Sequence, residues 1–171
     1  VSFLPHEDIG VIVLTNLNGN SGANVIHYNL YDRLLGLDQL PWRERIQKFI
    51  DKAKGAGEKA KQDAIASAKP NTSPSHPLAD YAGTYGHPAY GKMTVTYDGE
   101  HLEMSGNTLS FKLTHHHYDV FRLEGKDDDG MDMFLLAQFE SNLDGDVQRI
   151  SAGFEPTVAP IVFERAKAAA E

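Results

Sequence analysis

The sequence predicts an α+β segment followed by an all-β domain: an N-terminal β-hairpin plus helices, then an eight-stranded antiparallel barrel. Three observations carry that expectation. The apolar period changes from about four residues to two at Leu78. The stretch P-N-T-S-P-S-H-P at residues 70–77, with three prolines and no charge, separates the two regimes as a linker. Asp98-Gly99 and Asp144-Gly145 are tight hairpin signals inside the second regime.

Taken in order, Ser2 to Pro5 reads as a short strand, and His6-Glu7-Asp8 with Gly10 as a turn. Ile9 to Thr15 reads as an almost wholly apolar strand, a pattern suited to burial on both faces of a larger sheet. A lone two-stranded hairpin is marginal in water, so this pair calls for further strands, which points to the tail of something longer. After Asn16 to Gly19 comes a helix, which Asn20 or Ser21 can cap. Ala23, Ile26, Leu30 and Leu34 form one apolar stripe on that helix, and Gly36 fits its C-terminal stop. Pro41 opens a second helix striped by Trp42, Ile46, Phe49, Ile50 and Ala53. Its Ala/Lys-rich continuation reaches about Lys69, weakened by Gly55 and Gly57. Trp42 reads as a packing anchor for this helix or as an interface residue.

Beyond the linker, strands are predicted at Gly83–His87, Lys92–Tyr97, Glu100–Ser105, Thr108–Thr114, Tyr118–Glu124, Met131–Glu140, Val147–Gly153 and Ile161–Arg165. Short sequential strands with tight turns suggest an up-and-down barrel or a strongly bent sheet. A barrel of this size is either packed solid or holds one small ligand. Three segments follow: 1–40, a hairpin and helix; 41–77, a basic helical linker and Pro-rich loop; and 78–166, the barrel.

Charge and composition narrow the function. The formal net charge is −8, which disfavours nucleic-acid and anionic-membrane partners. Residues 41–69 hold eight bases against four acids, whereas 78–165 hold six bases against fifteen acids. Either the two are separately solvated, or they attract each other within a chain or between subunits. No cysteine is present, so disulfides and thiolate metal sites are excluded.

The densest candidate site is T-H-H-H-Y-D at residues 114–119. If the backbone is extended, His115, His117, Asp119 and Phe121 share one face, and His116, Tyr118 and Val120 the other. Two histidines at i and i+2 with an aspartate can bind zinc, but no fourth ligand is evident. A His–Asp hydrogen-bond network at a strand corner and a ligand-binding or interface role are the other two readings. Tyr81, Tyr85, Tyr90 and Tyr97 either stack a ligand or pack in the core and rim. The expected cluster, structural or ligand-binding, is therefore His115, His117, Tyr118, Asp119, Tyr85 and Tyr90, with no metal and no cofactor. Asp127-Asp128-Asp129-Gly130 lacks the closing Glu of a calcium loop and reads as an acidic, solvated hairpin.

Two stretches carry a family resemblance: Tyr81-Ala-Gly-Thr-Tyr85 with His87-Pro-Ala-Tyr-Gly91 and Met93-Thr-Val, and Leu113 through Phe121. Together they resemble the lipocalin-like domain at the C-terminus of serine β-lactamase-like hydrolases, relatives of penicillin-binding proteins, class C β-lactamases, D-peptidases and esterases. F-L-P-H-E-D-I-G-V-I-V-L-T-N-L-N-G resembles the last hairpin of that family's catalytic domain. The resemblance implies a parent enzyme whose serine lies in an S-x-x-K motif. No serine here has a lysine three residues later, and neither Tyr-x-Asn at the family position nor Lys-Thr-Gly or His-x-Gly occurs. The family's catalytic residues therefore map onto none of these positions. The segment is expected to shape the active site or mediate oligomerisation, with the parent catalytic domain or another subunit as partner. An extracytoplasmic location is implied by the family alone, while the exposed hairpin and the basic helix favour association with a partner chain, as in a homo-oligomer. The alternative is a stand-alone barrel that binds a small apolar ligand.

Overall fold

The chain is described by a computed structural model covering residues 1–16, 20–126, 130–155 and 157–166. Residues 17–19, before the first helix, and the acidic loop residues 127–129 lie outside the described residues. Two compact units are present, Val1–Asp63 and Ala64–Glu171.

The first unit opens with a hairpin of β1 (Ser2–Leu4) and β2 (Ile9–Val11), joined through a 3-10 turn at Pro5–Glu7. Its register pairs Ser2 with Val11 and Leu4 with Ile9. The second strand was expected to reach Thr15 and to be buried on both faces, but pairing stops at Val11. With only three residues in β1, nothing continues the ladder, and Ile12 and Leu14 stand 66% and 88% exposed.

Helix α1 (Gly22–Leu34) starts at the predicted signals. Asn20 Oδ1 accepts the Gly22 N–H at 2.8 Å, while Ser21 makes no side-chain cap bond. The helix ends in a Schellman motif: Leu37 N–H donates to the Asp32 carbonyl at 2.8 Å and Gly36 N–H to that of Arg33 at 3.3 Å. Gly36 supplies the left-handed φ of 66° that this stop requires. The predicted apolar stripe is not covered: Ile26, Leu30 and Leu34 are all exposed. The side chain that α1 buries is instead Asp32, at 5% exposure. Its Oδ2 accepts the Trp42 indole N–H at 2.6 Å and the Leu40 N–H at 3.2 Å. Trp42 stacks on Tyr28 with ring centroids 4.4 Å apart, and Tyr31 donates to Ser2 Oγ at 2.5 Å. Trp42 is thus the packing anchor at the start of α2 (Trp42–Ala66).

Helix α2 runs uninterrupted through Gly55 and Gly57 and buries no residue. Each glycine costs the helix roughly 0.5–1 kcal/mol relative to alanine. Pairs at i,i+4 help offset that cost: Gln47 with Asp51, Lys59 with Asp63, and Gln62 with Glu58. The helix stops at Ala66, short of the expected Lys69, where Ser67 Oγ donates back to the Ala64 carbonyl at 2.7 Å.

The second unit holds the barrel. A 3-10 turn at Leu78–Tyr81 leads into β3 (Gly83–His87), β4 (Gly91–Tyr97), β5 (Leu102–Gly106), β6 (Leu109–His117), β7 (Val120–Lys126), β8 (Asp132–Ser141), β9 (Val147–Ala152) and β10 (Ile161–Arg165). Each strand pairs antiparallel with its neighbours in sequence, and β10 pairs with β3 to close the barrel. The closing pairs are Glu164 with Gly86 and Arg165 with Tyr85. Arg165 reinforces the seam by donating to the Val147 carbonyl at 2.9 Å and the Ala82 carbonyl at 2.5 Å. The predicted eight-stranded antiparallel barrel is therefore the observed fold. The main shift is in β6, which runs past Thr114 and carries all three histidines on the strand.

Period-two alternation fills the interior. Met93, Val95, Leu102, Met104, Phe111, Leu113, Phe121, Leu123, Phe139 and Ile150 are buried around Tyr81 and Tyr85. Tyr81, Phe121 and Phe139 meet edge to face at centroid distances of 4.9–5.4 Å.

Two glycines permit this packing. A Cβ at Gly125 would lie 2.1 Å from the Ser110 carbonyl oxygen, and one at Gly106 would lie 2.5 Å from that of Lys92. Neither backbone oxygen can move without breaking a ladder. Gly125→Ala is therefore expected to destabilise the protein by about 1–3 kcal/mol in a urea titration. Gly86→Ala, where an added Cβ meets nothing within 4 Å, is expected to stay within about 0.5 kcal/mol of the parent.

Candidate functional site

The histidine segment sits at the end of β6, where the ladder with β7 shifts between His115 and His117. That irregularity and the left-handed Tyr118 (φ 46°) turn the chain within two residues. Tyr118 projects its ring outward, 60% exposed. The three imidazoles meet different partners. His115 places Nε2 2.9 Å from the Tyr118 carbonyl and its ring against Phe121, at 5.7 Å between centroids. His116 follows the outward parity of Ser110, Lys112 and Thr114 yet is only 6% exposed. Its Nε2 lies 3.3 Å from Ser67 Oγ, just beyond the end of α2. The His117 ring lies 4.6 Å from that of His116, tilted by 43°, with its Nδ1 buried and unpartnered. Among the described residues, no three His, Asp or Glu side chains converge as metal ligands.

Asp119, in the β6–β7 turn, is the residue on which partners converge. Its Oδ2 accepts Ser75 Oγ–H at 2.7 Å, and its Oδ1 accepts the Ser75 N–H at 2.9 Å. The Tyr81 hydroxyl also donates to Oδ1. The same hydroxyl accepts the His76 N–H at 3.3 Å, while His76 Nε2 meets Ser141 Oγ at 2.8 Å at the end of β8. The Pro-rich linker is thus tied to the barrel by a carboxylate 44 residues away in sequence.

Electrostatics follow from this geometry. Burial alone would push the Asp119 carboxyl up, but the hydrogen bonds from Tyr81 and Ser75 outweigh it and hold the group below the ordinary carboxylate value. Burial first, and then the Asp119 carboxylate, push the Tyr81 phenol up to about 12. Burial also pushes Tyr85 up to about 12. His116 is held below the ordinary imidazole value, first by burial and then by the charges of His117, Arg122 and His115.

The remaining predicted residues separate. Tyr85 is fully buried and donates to the Tyr81 carbonyl at 2.8 Å. It joins the same core as Tyr81 and Phe139. Tyr90 lies in the β3–β4 turn. Turns of an up-and-down barrel alternate between its ends, which puts Tyr90 at the end opposite Asp119. There it donates to Glu155 at 2.5 Å and packs beside His87 and Phe163. The structure therefore gathers His115, Tyr118 and Asp119 at one end, sets Tyr85 in the interior, and leaves Tyr90 apart. Ser67, Ser75, His76 and Ser141, which complete the network, follow no local spacing rule in the sequence. Only the strand-corner position of Asp119 marked one half of it.

Ser141 and His76 form a hydroxyl–imidazole contact, but Asp119 directs its oxygens to Ser75 and Tyr81 rather than to the His76 ring. Among the described residues, no orienting carboxylate completes a nucleophilic triad there.

Stability should report these groups through pH. The folded pKa of His116 is depressed, so the unfolded chain binds the proton more readily, and stability is lost as pH falls below about 6.5. Asp119 is likewise depressed, and its contribution is lost below about pH 4. Thermal melts at pH 7.5 and 5.5 are expected to differ less in His116→Gln than in the parent, whereas Asp119→Asn should leave that difference intact and flatten the change below pH 4.

Comparison with known proteins places this barrel. A search of curated proteins finds no match. Among solved structures, the C-terminal domain of penicillin binding protein Rv0907 is similar, with 25% identity over 58% of this chain and 94% of that chain, at a TM-score of 0.48. Residues 67–165 match the family described as Domain of unknown function (DUF3471). With that match spanning more than half of the sequence and the whole barrel, the chain belongs to the DUF3471 family, the C-terminal domain family of β-lactamase-like proteins.

Proposed function

We propose that this chain is a non-catalytic accessory region of a β-lactamase-like serine hydrolase, and that it works by docking on the catalytic domain and shaping its active site. The match of residues 67–165 to DUF3471 carries this reading. Three features support it. The sequence contains no S-x-x-K, so acyl transfer to an activated serine has no nucleophile here. The barrel interior is occupied by large side chains, including Tyr81, Tyr85, Phe111 and Phe121, which suits a rigid module. In the first unit, Phe3, Ile12 and Leu14 of the hairpin segment and Ile26, Leu30 and Leu34 of α1 are exposed apolar residues. Scattered apolar residues are ordinary on a surface, but a helix whose whole apolar stripe faces outward suits a protein partner. The proposed partner is the hydrolase's catalytic domain, which by resemblance supplies the missing sheet beside β1 and β2. Homo-oligomerisation and an extracytoplasmic location belong to the same proposal and rest on the same resemblance.

Two measurements test it. Incubated with a fluorescent penicillin or a p-nitrophenyl ester, the chain is expected to keep its intact mass, and a stoichiometric covalent adduct would overturn the non-catalytic reading. Added to the β-lactamase-like catalytic domain from its own source, the chain is expected to change kcat/KM for a chromogenic ester or β-lactam by about fivefold or more. The absence of both binding and a rate change would overturn the docking reading.

A further inference from the structure

The linker that the sequence marks as a boundary is, in the structure, fastened at specific points. Residues 67–77 lie in neither helix nor strand. Their backbone hydrogen bonds stay local: Ser67 and Ala68 donate to the carbonyls of Ala64 and Ile65, and Asp80 donates to that of Pro77. Every hydrogen bond from this stretch to the barrel involves a side chain. Ser67 meets His116, Ser75 meets Asp119 twice, and His76 meets Ser141 and the Tyr81 hydroxyl. Three of these partners, His116, Asp119 and Ser141, lie on or beside the ends of β6, β7 and β8. Pro70, Pro74 and Pro77 lack an N–H and hold their own φ, so few conformations compete with the fastened one.

The two ends of the stretch are unequal. On the C-terminal side, Pro77 is extended (φ −53°, ψ 144°) and leads directly into Leu78–Tyr81, which Tyr81 pins inside the core. On the N-terminal side, the contact is the 3.3 Å approach of Ser67 to His116. Between them the density of contacts peaks at Asp119. We propose that residues 67–77 form a releasable strap, with Asp119 as its catch and Pro77 as its hinge, which lifts from the barrel as a unit while the barrel stays folded. The chemistry of the fastening supports this. Side-chain bonds to one carboxylate are lost together when that carboxylate is removed, whereas the β-ladders of the barrel do not depend on it. Lifting the strap would uncover His116, whose outward-facing ring meets Ser67 in the fastened state.

Amide hydrogen exchange on the full chain tests the strap directly, because the Ser75 and His76 N–H groups are themselves the fastening donors. In the parent, Ser75 and His76 are expected to exchange, relative to their unprotected rates, about tenfold or more faster than Phe111, Leu123 and Phe139 in the strands, because the strap opens without the barrel. In Asp119→Asn, exchange at Ser75 and His76 is expected to accelerate about tenfold or more, and Tyr81→Phe, which keeps the ring in the core and removes only the hydroxyl, should likewise accelerate His76. Unchanged exchange at Ser75 and His76 in both variants would overturn the proposal. So would equal protection of Ser75, His76 and the strand amides in the parent, which would make Asp119 part of one cooperative fold with no separable strap.

Discussion

The contact on which this domain's organisation depends is the Asp119 carboxylate held between the Tyr81 hydroxyl and Ser75. It joins three levels of structure. Asp119 sits in a two-residue turn set up by the left-handed Tyr118. Tyr81 carries its ring into the Phe121–Phe139 cluster at the centre of the barrel. Ser75 belongs to the segment that leaves the barrel toward α2. A partly buried carboxylate costs free energy unless donors surround it, and here the donors come from the core and the linker alike. The same bonds lower the Asp119 pKa and raise that of Tyr81, so the aspartate is ionised and the phenol neutral across ordinary pH.

How far the sequence reveals this depends on the range of the physics involved. The hairpins were legible because their chemistry is local. Asp98 Oδ1 accepts the N–H groups of Glu100 and His101, Asn142 Oδ1 those of Asp144 and Asp146, and Gly99 and Gly145 take the positive φ their turns require. Alternation along β4 gave Met93 and Val95 as interior residues for the same reason. The buried side of α1 was not legible: its stripe of Ile26, Leu30 and Leu34 obeys helical spacing but faces outward, and the helix buries Asp32 instead. Periodicity says which residues share a face, and only a partner decides whether that face is covered. Extended-strand parity likewise puts His115, His117 and Asp119 on one face, but the β6–β7 ladder shifts between His115 and His117 and Tyr118 turns left-handed, so the three meet different partners. The bond from Ser75 to Asp119 spans 44 residues and leaves no periodic trace.

The two units differ in how they are held. The barrel is closed by its own ladders and filled by aromatic side chains, with Gly106 and Gly125 allowing backbones to approach where a methyl group would collide. The first unit relies on polar joints, Asp32 with Trp42 and Tyr31 with Ser2, and leaves apolar residues uncovered. The barrel is thus closed on itself, whereas the first unit leaves apolar side chains open. The three histidines fit this division as well. Their partners differ: the Tyr118 carbonyl and Phe121 for His115, Ser67 and the His117 ring for His116, and the His116 and Tyr118 rings for His117.

The most direct test of this account is a double-mutant cycle between Asp119→Asn and Tyr81→Phe, read by urea unfolding. If the carboxylate and the phenol act on each other as described, the two losses will not add, and the coupling will be about 1 kcal/mol or more. Losses that add to within about 0.3 kcal/mol would contradict it, because the bond joining core and linker would then contribute nothing to the fold.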